Sequence, residues 1–428
     1  MIDMSVAETI RETYQARTPG SAELISRAEA VMPAGSSRSF SYFRPYPVVF
    51  ERGEGSTLWD VDGNRYIDFA NNGLSLIHGN AYPPIQEAVG AALEKGTAWP
   101  GTSRPQIEFA ELLSRRIDAA DCVRFVNTGT EATMLAVKLA RHRTQRPLLL
   151  KAWHGYHGFY DDLSAGLEGQ GEIAGRTLLA NFGDADSFKA QIDEHGEQIA
   201  AVILEPIPYT GRVTPPPEGF LKAVEQMAKE AGALFIIDDC LMFRLAEGGS
   251  PEKFGLDPDL VCLGKWIGGG FPVGAIGASA ELMEVFDQRR DDAIYHGGSF
   301  NGNPIGCTAG RIAVEDLTAE RIATMDRQGS ELAAGIVEAG RKRGIPVAVQ
   351  GAGSAFGVYV LESVDGSPSD ELSAQLHLAA VNHGVYLGPG GELAMATSMS
   401  DELVDEALAG LDAAFDDIAP LITNPEEG

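Results

Sequence analysis

The sequence is poor in cysteine and contains no long apolar run. Its four cysteines form no CxxC pair, so their spacing indicates neither a zinc site nor a disulfide framework; they are Cys122, Cys240, Cys262 and Cys307. No apolar run reaches the length that spans a bilayer. The first residues lack the basic start and the apolar core of a signal peptide. We therefore expect a reducing, cytoplasmic location and no membrane partner.

Basic residues are also scarce. There are 33 lysines and arginines against 61 aspartates and glutamates, which gives a formal net charge of −28. A chain of this charge repels nucleic acids and anionic membrane surfaces. The apolar fraction of 44% and the charged fraction of 22% are those of an ordinary globular protein, and 428 residues suffice for two lobes with a large core. These values remove nucleic acid from the expected partners.

The first and last parts of the chain mix helices with short strands. A helical spacing of apolar residues predicts a helix over 21–32, which Pro33 ends. Three strands joined by turns predict a small antiparallel meander, and they cover 48–51, 57–60 and 65–69. After residue 312 the pattern predicts a helix, strands at 347–349 and 357–361, a helix at 370–383, a strand at 394–398 and a final helix capped by Ser400.

From about residue 84, helical patterns alternate with short apolar strands. The predicted helices cover 84–95 and 105–117, and the predicted strands cover 123–126, 148–150, 201–204, 234–237 and 260–263. Such alternation is typical of a mainly parallel sheet with helices on both faces. We therefore predict an α/β protein: a large domain at 76–311, and a small α+β domain built from 1–75 and 312–428.

Two of the predicted strands end at a charged residue. Asp238 ends the apolar run 233–237, and Lys265 follows the run 260–264. In open α/β sheets, ligands bind at the carboxyl ends of the strands. A lysine and an aspartate at such positions suit a pyridoxal phosphate site, because the lysine forms the Schiff base and the aspartate keeps the pyridine nitrogen protonated. By themselves, the two residues also fit a capping aspartate and a solvated loop lysine, which is the commoner situation for these residue types.

The glycine-rich stretches give weaker signals. Thr128, Gly129 and Thr130 join a strand to a helix, and the N–H groups at such a helix start can bind phosphate, although many ordinary helices begin in this way. A nucleotide P-loop at Lys265 is excluded because Trp266, rather than Ser or Thr, follows it. The stretch 268–274 contains a proline and lacks GxGxxG spacing, so we interpret it as a structural turn.

Aromatic and histidine side chains are concentrated at 153–158. Flat side chains next to glycines can stack on a planar cofactor. The pair His154 and His157 has a spacing of three and does not match the HExxH metal pattern. We interpret both histidines as structural or turn residues.

Four stretches of this chain together resemble one family. They are 59–68 (WDVDGNRYID), 124–132 (RFVNTGTEA), 203–206 (ILEP) and 257–274 (DPDLVCLGKWIGGGFPVG). The chain resembles the fold-type I pyridoxal phosphate enzymes of the class III aminotransferase family, in the branch of glutamate-1-semialdehyde aminomutase and the β-amino-acid aminotransferases. The likeness runs from about residue 21 to 418, and it favours the Schiff-base interpretation of Lys265.

The resemblance implies roles for the cofactor-binding residues. Lys265 would hold the cofactor as a Schiff base and shuttle the substrate proton, and Asp238 would pair with the ring nitrogen. Cys240 and Tyr156 would cover the two ring faces, and the phosphate would be held by Thr128, Gly129 and Thr130. Ser299 matches a threonine that reaches the phosphate across a dimer interface, which implies a homodimer with a shared active site.

The resemblance also implies a substrate-binding arginine. Arg38 matches the arginine that grips a substrate carboxylate in this branch, and its planar guanidinium gives the bidentate geometry required. Arg44 is a second candidate for the same task. A solvated loop arginine remains the alternative for Arg38.

Two departures from the family pattern bear on the reaction. The stretch 238–244 (DDCLMFR) is one residue shorter than its family counterpart and lacks Thr-Gly. The stretch 159–185 is shorter than the gating segment of the aminomutases. Both features resemble the β-amino-acid aminotransferases, so we favour transfer of an amino group from a carboxylate-bearing amine to an α-keto acid. Glutamate-1-semialdehyde aminomutase is the first alternative, followed by a racemase, a decarboxylase or a non-catalytic cofactor-binding protein.

Overall fold

A computed structural model describes residues 4–167, 175–364 and 366–422. The chain forms two compact units, Met1–Tyr82 with Ala323–Gly428 and Pro83–Ile322. The boundaries predicted from the sequence, at 75/76 and 311/312, lie earlier in the chain. The difference at the boundary predicted between 311 and 312 has a clear cause. The helix Pro304–Asp316 packs against the helices Pro83–Leu93 and Arg104–Arg116, so it belongs to the second unit.

The helices and strands are numbered here in chain order. The helices are α1 (Met4–Arg17), α2 (Pro19–Glu29), α3 (Asn71–Leu74), α4 (Pro83–Leu93), α5 (Arg104–Arg116), α6 (Gly129–Thr144), α7 (Asp161–Ser164), α8 (Ala185–His195), α9 (Phe220–Glu230), α10 (Gly249–Phe254), α11 (Ala280–Met283), α12 (Pro304–Asp316), α13 (Ala319–Lys342), α14 (Asp370–Asn382) and α15 (Asp401–Ile418). The strands are β1 (Phe50–Glu54), β2 (Thr57–Asp60), β3 (Arg65–Asp68), β4 (Cys122–Val126), β5 (Leu148–Ala152), β6 (Thr177–Ala180), β7 (Ile199–Leu204), β8 (Leu234–Asp238), β9 (Leu260–Leu263), β10 (Gly274–Ala278), β11 (Val347–Ala352), β12 (Ala355–Val360), β13 (Val385–Tyr386) and β14 (Glu392–Ala394).

The first unit contains two small sheets. The meander β1-β2-β3 is antiparallel as predicted, and β13 joins it parallel to β3. The second sheet has the order β11-β12-β14 and is antiparallel. The strand predicted at 394–398 is wrong for most of its length, because the backbone turns where Met399 N–H donates to the carbonyl of Ala396. Ser400 caps α15 as expected, accepting a hydrogen bond from Leu403 N–H.

The second unit is built on a seven-stranded sheet of order β4-β10-β9-β8-β7-β5-β6. The pairs from β6 to β9 are parallel, which confirms the predicted mainly parallel sheet. Two strands of this sheet were missed: β6, which pairs parallel to β5, and β10, which pairs antiparallel to both β4 and β9. The sequence of β10, GAIGA, lacks a run of β-branched residues, but the small side chains are required: a Cβ on Gly277 would lie 2.6 Å from that of Ala120.

Helices cover both faces of this sheet, as predicted. From Ala201 onward, residues of the fully buried strand β7 alternate between two apolar clusters. Ala201 and Ile203 join the cluster that contains α6, and Val202 and Leu204 join the cluster that contains α8 and α9. None of the described helices combines the length and apolarity needed to cross a membrane.

Candidate active site

Asp238 and Lys265 occupy neighbouring strand ends. Asp238 is the last residue of β8, pairs with Cys262 of β9 and is 4% exposed. Lys265 follows β9 after one glycine and is half-buried, with a backbone φ of 51°. This left-handed conformation is uncommon for residues other than glycine and is concentrated at functional sites. Because β8 and β9 are adjacent and parallel, Asp238 and Lys265 lie at the same edge of the sheet.

His157 holds the buried aspartate. Its Nδ1 lies 2.9 Å from Asp238 Oδ2, and its side chain is inaccessible to solvent. Burial opposes ionisation of Asp238, but the hydrogen bond with His157 and the neighbouring charges outweigh it, so the pKa of Asp238 is lowered. Burial lowers the pKa of His157. The pair is therefore a carboxylate that accepts a hydrogen bond from a neutral imidazole. The interpretation of His157 as a structural residue stays a prediction, and the structure identifies Asp238 as the residue that it contacts.

The start of α6 lies against the ends of β8 and β9. Thr128 caps α6 by accepting a hydrogen bond from Glu131 N–H at 3.1 Å. A Cβ on Gly129 would lie 2.7 Å from Cys240 Sγ, and a Cβ on Gly264 would lie 3.1 Å from both that sulfur and the nitrogen of Gly129. Glycine is required at both positions because the backbones approach so closely. The helix N-terminus, a potential anion site, is therefore beside Lys265.

The loop 153–158 is fixed to α6 and to a second buried acid. Thr133 Oγ1 donates to the carbonyl of His157 at 2.6 Å, and a Cβ on Gly158 would lie 2.3 Å from Thr130 Oγ1. Tyr156 has an exposed ring, and its N–H donates to Glu205 Oε2 at 2.7 Å. Burial, assisted by the charge of Asp238, raises the pKa of Glu205 to about 8. Sequence reasoning missed Glu205, although the signal that indicated Asp238, a carboxylate directly after a buried strand, was present.

A buried lysine binds backbone carbonyls of the chain that follows the loop 153–158. Lys151, in β5, donates from Nζ to the carbonyls of Leu163 at 3.0 Å and Ala165 at 2.6 Å. Burial lowers the pKa of Lys151 to about 8. Residues 168–174, within the shortened stretch 159–185, lie outside the described residues.

Cys240 is buried beside Asp238. Its backbone N–H donates to Asp238 Oδ1 at 3.2 Å, and burial raises the pKa of its thiol. The side chain is therefore a neutral, apolar surface at this edge of the sheet, as a residue packing against a cofactor ring requires.

The remaining predicted site residues lie on exposed loops. Ser299 is exposed, and Asn301 of the same loop accepts a hydrogen bond from Asn127 Nδ2 at 2.9 Å. Arg38 and Arg44 belong to the first unit and are exposed, and Arg38 Nη1 donates to Asn72 Oδ1 at 2.5 Å. The structure brings Asp238, Lys265, Cys240, Tyr156 and the Thr128–Thr130 turn together within the second unit.

These residues fit the polar groups of pyridoxal phosphate. An ionised buried acid suits a protonated pyridine nitrogen, and a lysine amine suits the aldehyde. The helix N-terminus, with a glycine in close contact with its neighbours, suits the phosphate. The fit rests on the lowered pKa of Asp238 and on the packing of Gly129 against Cys240 and Gly264.

Comparison with known proteins supports this fit. A sequence model of the family Aminotransferase class-III matches residues 41–415. Among curated proteins, the chain is similar to glutamate-1-semialdehyde 2,1-aminomutase of Heliobacterium modesticaldum, with 35% identity over 427 aligned residues that cover 93% of this chain and 97% of that protein.

Solved structures with the same fold include transaminases. An omega-transaminase from Sphaerobacter thermophilus superposes with a TM-score of 0.89 at 34% identity, covering 94% of this chain and 99% of that one. A β-phenylalanine aminotransferase from Variovorax paradoxus superposes with a TM-score of 0.89 at 29% identity, covering 95% and 96%. The expected fold class is confirmed.

Proposed function

Because the chain belongs to the class III aminotransferase family of pyridoxal phosphate enzymes, we propose that it catalyses intermolecular transamination. The donor is a carboxylate-bearing amine, either a β-amino acid or an unusual α-amino acid, and the acceptor is an α-keto acid. The similarity to a β-phenylalanine aminotransferase and to an omega-transaminase supports this choice of reaction.

The observation that carries the proposal is the tethered chain after Gly158. Lys151 binds the carbonyls of Leu163 and Ala165, and Arg141 donates to the buried carboxylate of Asp162 at 2.5 Å. An aminomutase must retain a diamino compound in a closed site between its two half-reactions. A shortened stretch whose described part, 159–167, is bound to the body of its unit suits release of the first product and entry of a second substrate.

Each chemical task of the reaction is assigned to a residue in this proposal. When bound, pyridoxal phosphate supplies the electron sink for the negative charge that develops at the donor carbon. Lys265 Nζ moves the proton of that carbon. Asp238, oriented by His157, holds a proton on the ring nitrogen. The backbone and hydroxyls at Thr128, Gly129 and Thr130 bind the phosphate; Tyr156 and Cys240 enclose the ring. Arg38 binds the donor carboxylate, with Arg44 as the second candidate.

We also propose that the active enzyme is a cytoplasmic homodimer. Ser299 is exposed on its loop, which is consistent with a side chain that reaches the phosphate of a partner chain. Analytical ultracentrifugation of the purified protein is expected to give the mass of two chains. A fully active monomer would contradict this assembly.

Glutamate-1-semialdehyde aminomutase is the second candidate. It is favoured by the 35% identity to curated aminomutases, which extends over nearly the whole chain. The two reactions differ in one requirement: isomerisation needs no keto acid, whereas transamination stops after one half-reaction without an acceptor.

The deciding experiment uses this requirement. Enzyme loaded with pyridoxal phosphate is given glutamate 1-semialdehyde alone, and separately a panel of β-amino acids with and without an α-keto acid. We expect the β-amino acids to convert the cofactor stoichiometrically to pyridoxamine phosphate, with turnover only when the keto acid is added. Catalytic isomerisation of the semialdehyde without a keto acid would instead establish the aminomutase, and Lys265→Ala is the control for both reactions.

A further inference from the structure

A left-handed turn in the first unit carries the residue of interest. The four consecutive residues of α3, Asn71 to Leu74, have φ angles of 45°, 52°, 66° and 63°. L-amino acids rarely form successive left-handed residues because the Cβ approaches the following carbonyl. Asparagine tolerates this conformation better than most residues, and glycine adopts it freely.

Several contacts hold the turn in this conformation. The buried carboxylate of Asp68 accepts a hydrogen bond from Asn71 N–H at 2.8 Å. The Asn71 side chain donates to the carbonyl of Ala394 at 2.6 Å, and Leu74 is 2% exposed in the core. Strained backbone persists only where the surroundings determine it, and it is concentrated at functional sites.

The turn presents Asn72 to Arg38. Asn72 Oδ1 accepts a hydrogen bond from Arg38 Nη1 at 2.5 Å, and both side chains are exposed. The other end of the amide is also fixed, because Asn72 Nδ2 donates to Ser75 Oγ at 2.9 Å and Ser75 Oγ donates to the Asn72 carbonyl. This arrangement directs the amide oxygen, rather than the amide nitrogen, to the guanidinium.

The loop that carries Arg38 packs on the same turn. A Cβ on Gly73 would lie 3.3 Å from the ring of Phe40, and the guanidinium of Arg38 lies 5.8 Å from the centre of that ring. Within the part of the chain that the structure describes, Nη1 is the nitrogen of this guanidinium that has a protein acceptor. Its Nε and Nη2 remain for a planar, bidentate anion.

We propose that Asn72 is a positioning residue that orients the Arg38 guanidinium for the carboxylate of the amino donor. This proposal rests on the proposed function. It explains how the enzyme would select amino donors that carry a carboxylate. Because one nitrogen of the guanidinium is held by a neutral amide, the arginine is oriented without losing its charge to a protein carboxylate. A preset arginine then binds the donor carboxylate with less loss of side-chain entropy.

Two substitutions separate the side chain of Asn72 from its backbone conformation. Asn72→Gly removes the amide and keeps a residue that adopts positive φ. Asn72→Asp also tolerates the conformation, but it places a carboxylate against Arg38 that competes with the donor. Thermal unfolding of both variants checks that the turn and the unit remain folded.

The kinetic test compares a β-amino acid with a primary amine of the same skeleton that lacks the carboxylate. We expect Asn72→Gly to raise KM for the β-amino acid about tenfold more than KM for the amine. Asn72→Asp is expected to raise that ratio further, because it repels the donor carboxylate. Equal changes for the two donors, or no change for either, would overturn the positioning role.

A binding measurement keeps this proposal separate from the proposed function. Propionate is titrated into the cofactor-loaded wild type, Asn72→Gly and Arg38→Ala proteins, which requires no turnover. Weaker propionate binding by both variants supports the role of Asn72, and unchanged binding by Asn72→Gly refutes it. A wild-type protein that transaminates neither donor refutes the proposed function, whatever the titration shows.

Discussion

His157 Nδ1 and Asp238 Oδ2 are 2.9 Å apart, and both side chains are shielded from solvent. The two residues are far apart in the sequence and meet because the loop after β5 reaches the end of β8. The histidine keeps a buried carboxylate ionised where burial alone would protonate it. The proposed interaction of Asp238 with a protonated ring nitrogen of the cofactor depends on this pair.

The first prediction concerns His157. His157→Ala should lower kcat/KM about ten- to a hundredfold, because a hydrogen bond to a charged group contributes about 1.5–3 kcal/mol. The pKa of Asp238 rises without its partner, so the acidic limb of the pH profile should move to higher pH. His157→Gln, which retains a side-chain N–H donor, should restore part of the activity. A uniform loss with an unchanged pH profile would indicate a merely structural histidine.

The second prediction concerns Lys265. Lys265→Ala should abolish transamination. The variant should remain folded, because the lysine side chain is only half-buried and the substitution leaves the strained backbone conformation at position 265 as it is. After borohydride treatment, mass spectrometry should find the cofactor covalently attached to a wild-type peptide that contains residue 265, and to no peptide of the variant. Attachment at another lysine would contradict the assignment.

The third prediction distinguishes the two candidate arginines. Arg38→Lys keeps the charge but removes the planar, bidentate geometry, so we expect KM for a carboxylate-bearing donor to rise about tenfold or more. Arg44→Lys is the matched control and should have a smaller effect. The reverse order would transfer the carboxylate-binding role to Arg44.

The fourth prediction concerns the pH dependence of stability. Burial raises the pKa of Glu205 from 4.5 to about 8, so the folded protein binds this proton more tightly than the unfolded chain. The contribution to stability is complete below pH 4.5 and is lost as pH rises towards 8. Glu205→Gln should therefore become more stable relative to wild type as pH rises through that interval, by at most about 1.4 kcal/mol per pH unit. Urea unfolding at several pH values measures the difference, and a constant offset would contradict the raised pKa.

The fifth prediction concerns the tether at Lys151. Lys151→Met keeps an unbranched side chain but leaves the carbonyls of Leu163 and Ala165 without their donor, at a cost of about 1–3 kcal/mol each. Limited proteolysis should cut the variant faster within 159–167 than the wild type. The exposed Lys189, paired with Asp193, supplies the control, and Lys189→Met should leave that rate unchanged.

The central features of the fold and site follow from local sequence patterns. The buried runs before Asp238 and Lys265 predict both strands and the position of their charged ends. The pairing of His157 with Asp238 has no local signal, because it joins residues from separate crossovers. Strand β10 was missed because its small residues are selected by the close approach of Thr128 and Ala120 rather than by strand propensity.

In the first unit, too, local sequence predicts some features and tertiary contacts determine others. Short strands joined by turn residues predict the meander β1-β2-β3, and serine at position 400 predicts the start of α15. The left-handed turn at Asn71–Leu74 was not predicted, although Asn-Asn-Gly permits it. The contacts that impose it come from Asp68 and from Ala394, which is remote in sequence. Local chemistry thus allows this conformation, and tertiary contacts select it.

The contact among Gly129, Cys240 and Gly264 limits how this enzyme can be re-engineered. A larger residue at any of these positions would push α6 away from β8 and β9. Asp238 and Lys265 at the strand ends would then shift. Libraries that seek new donors should hold these three residues constant. Substitutions should be introduced instead on the exposed loops, where a side chain can change size without disturbing the alignment of the reacting groups.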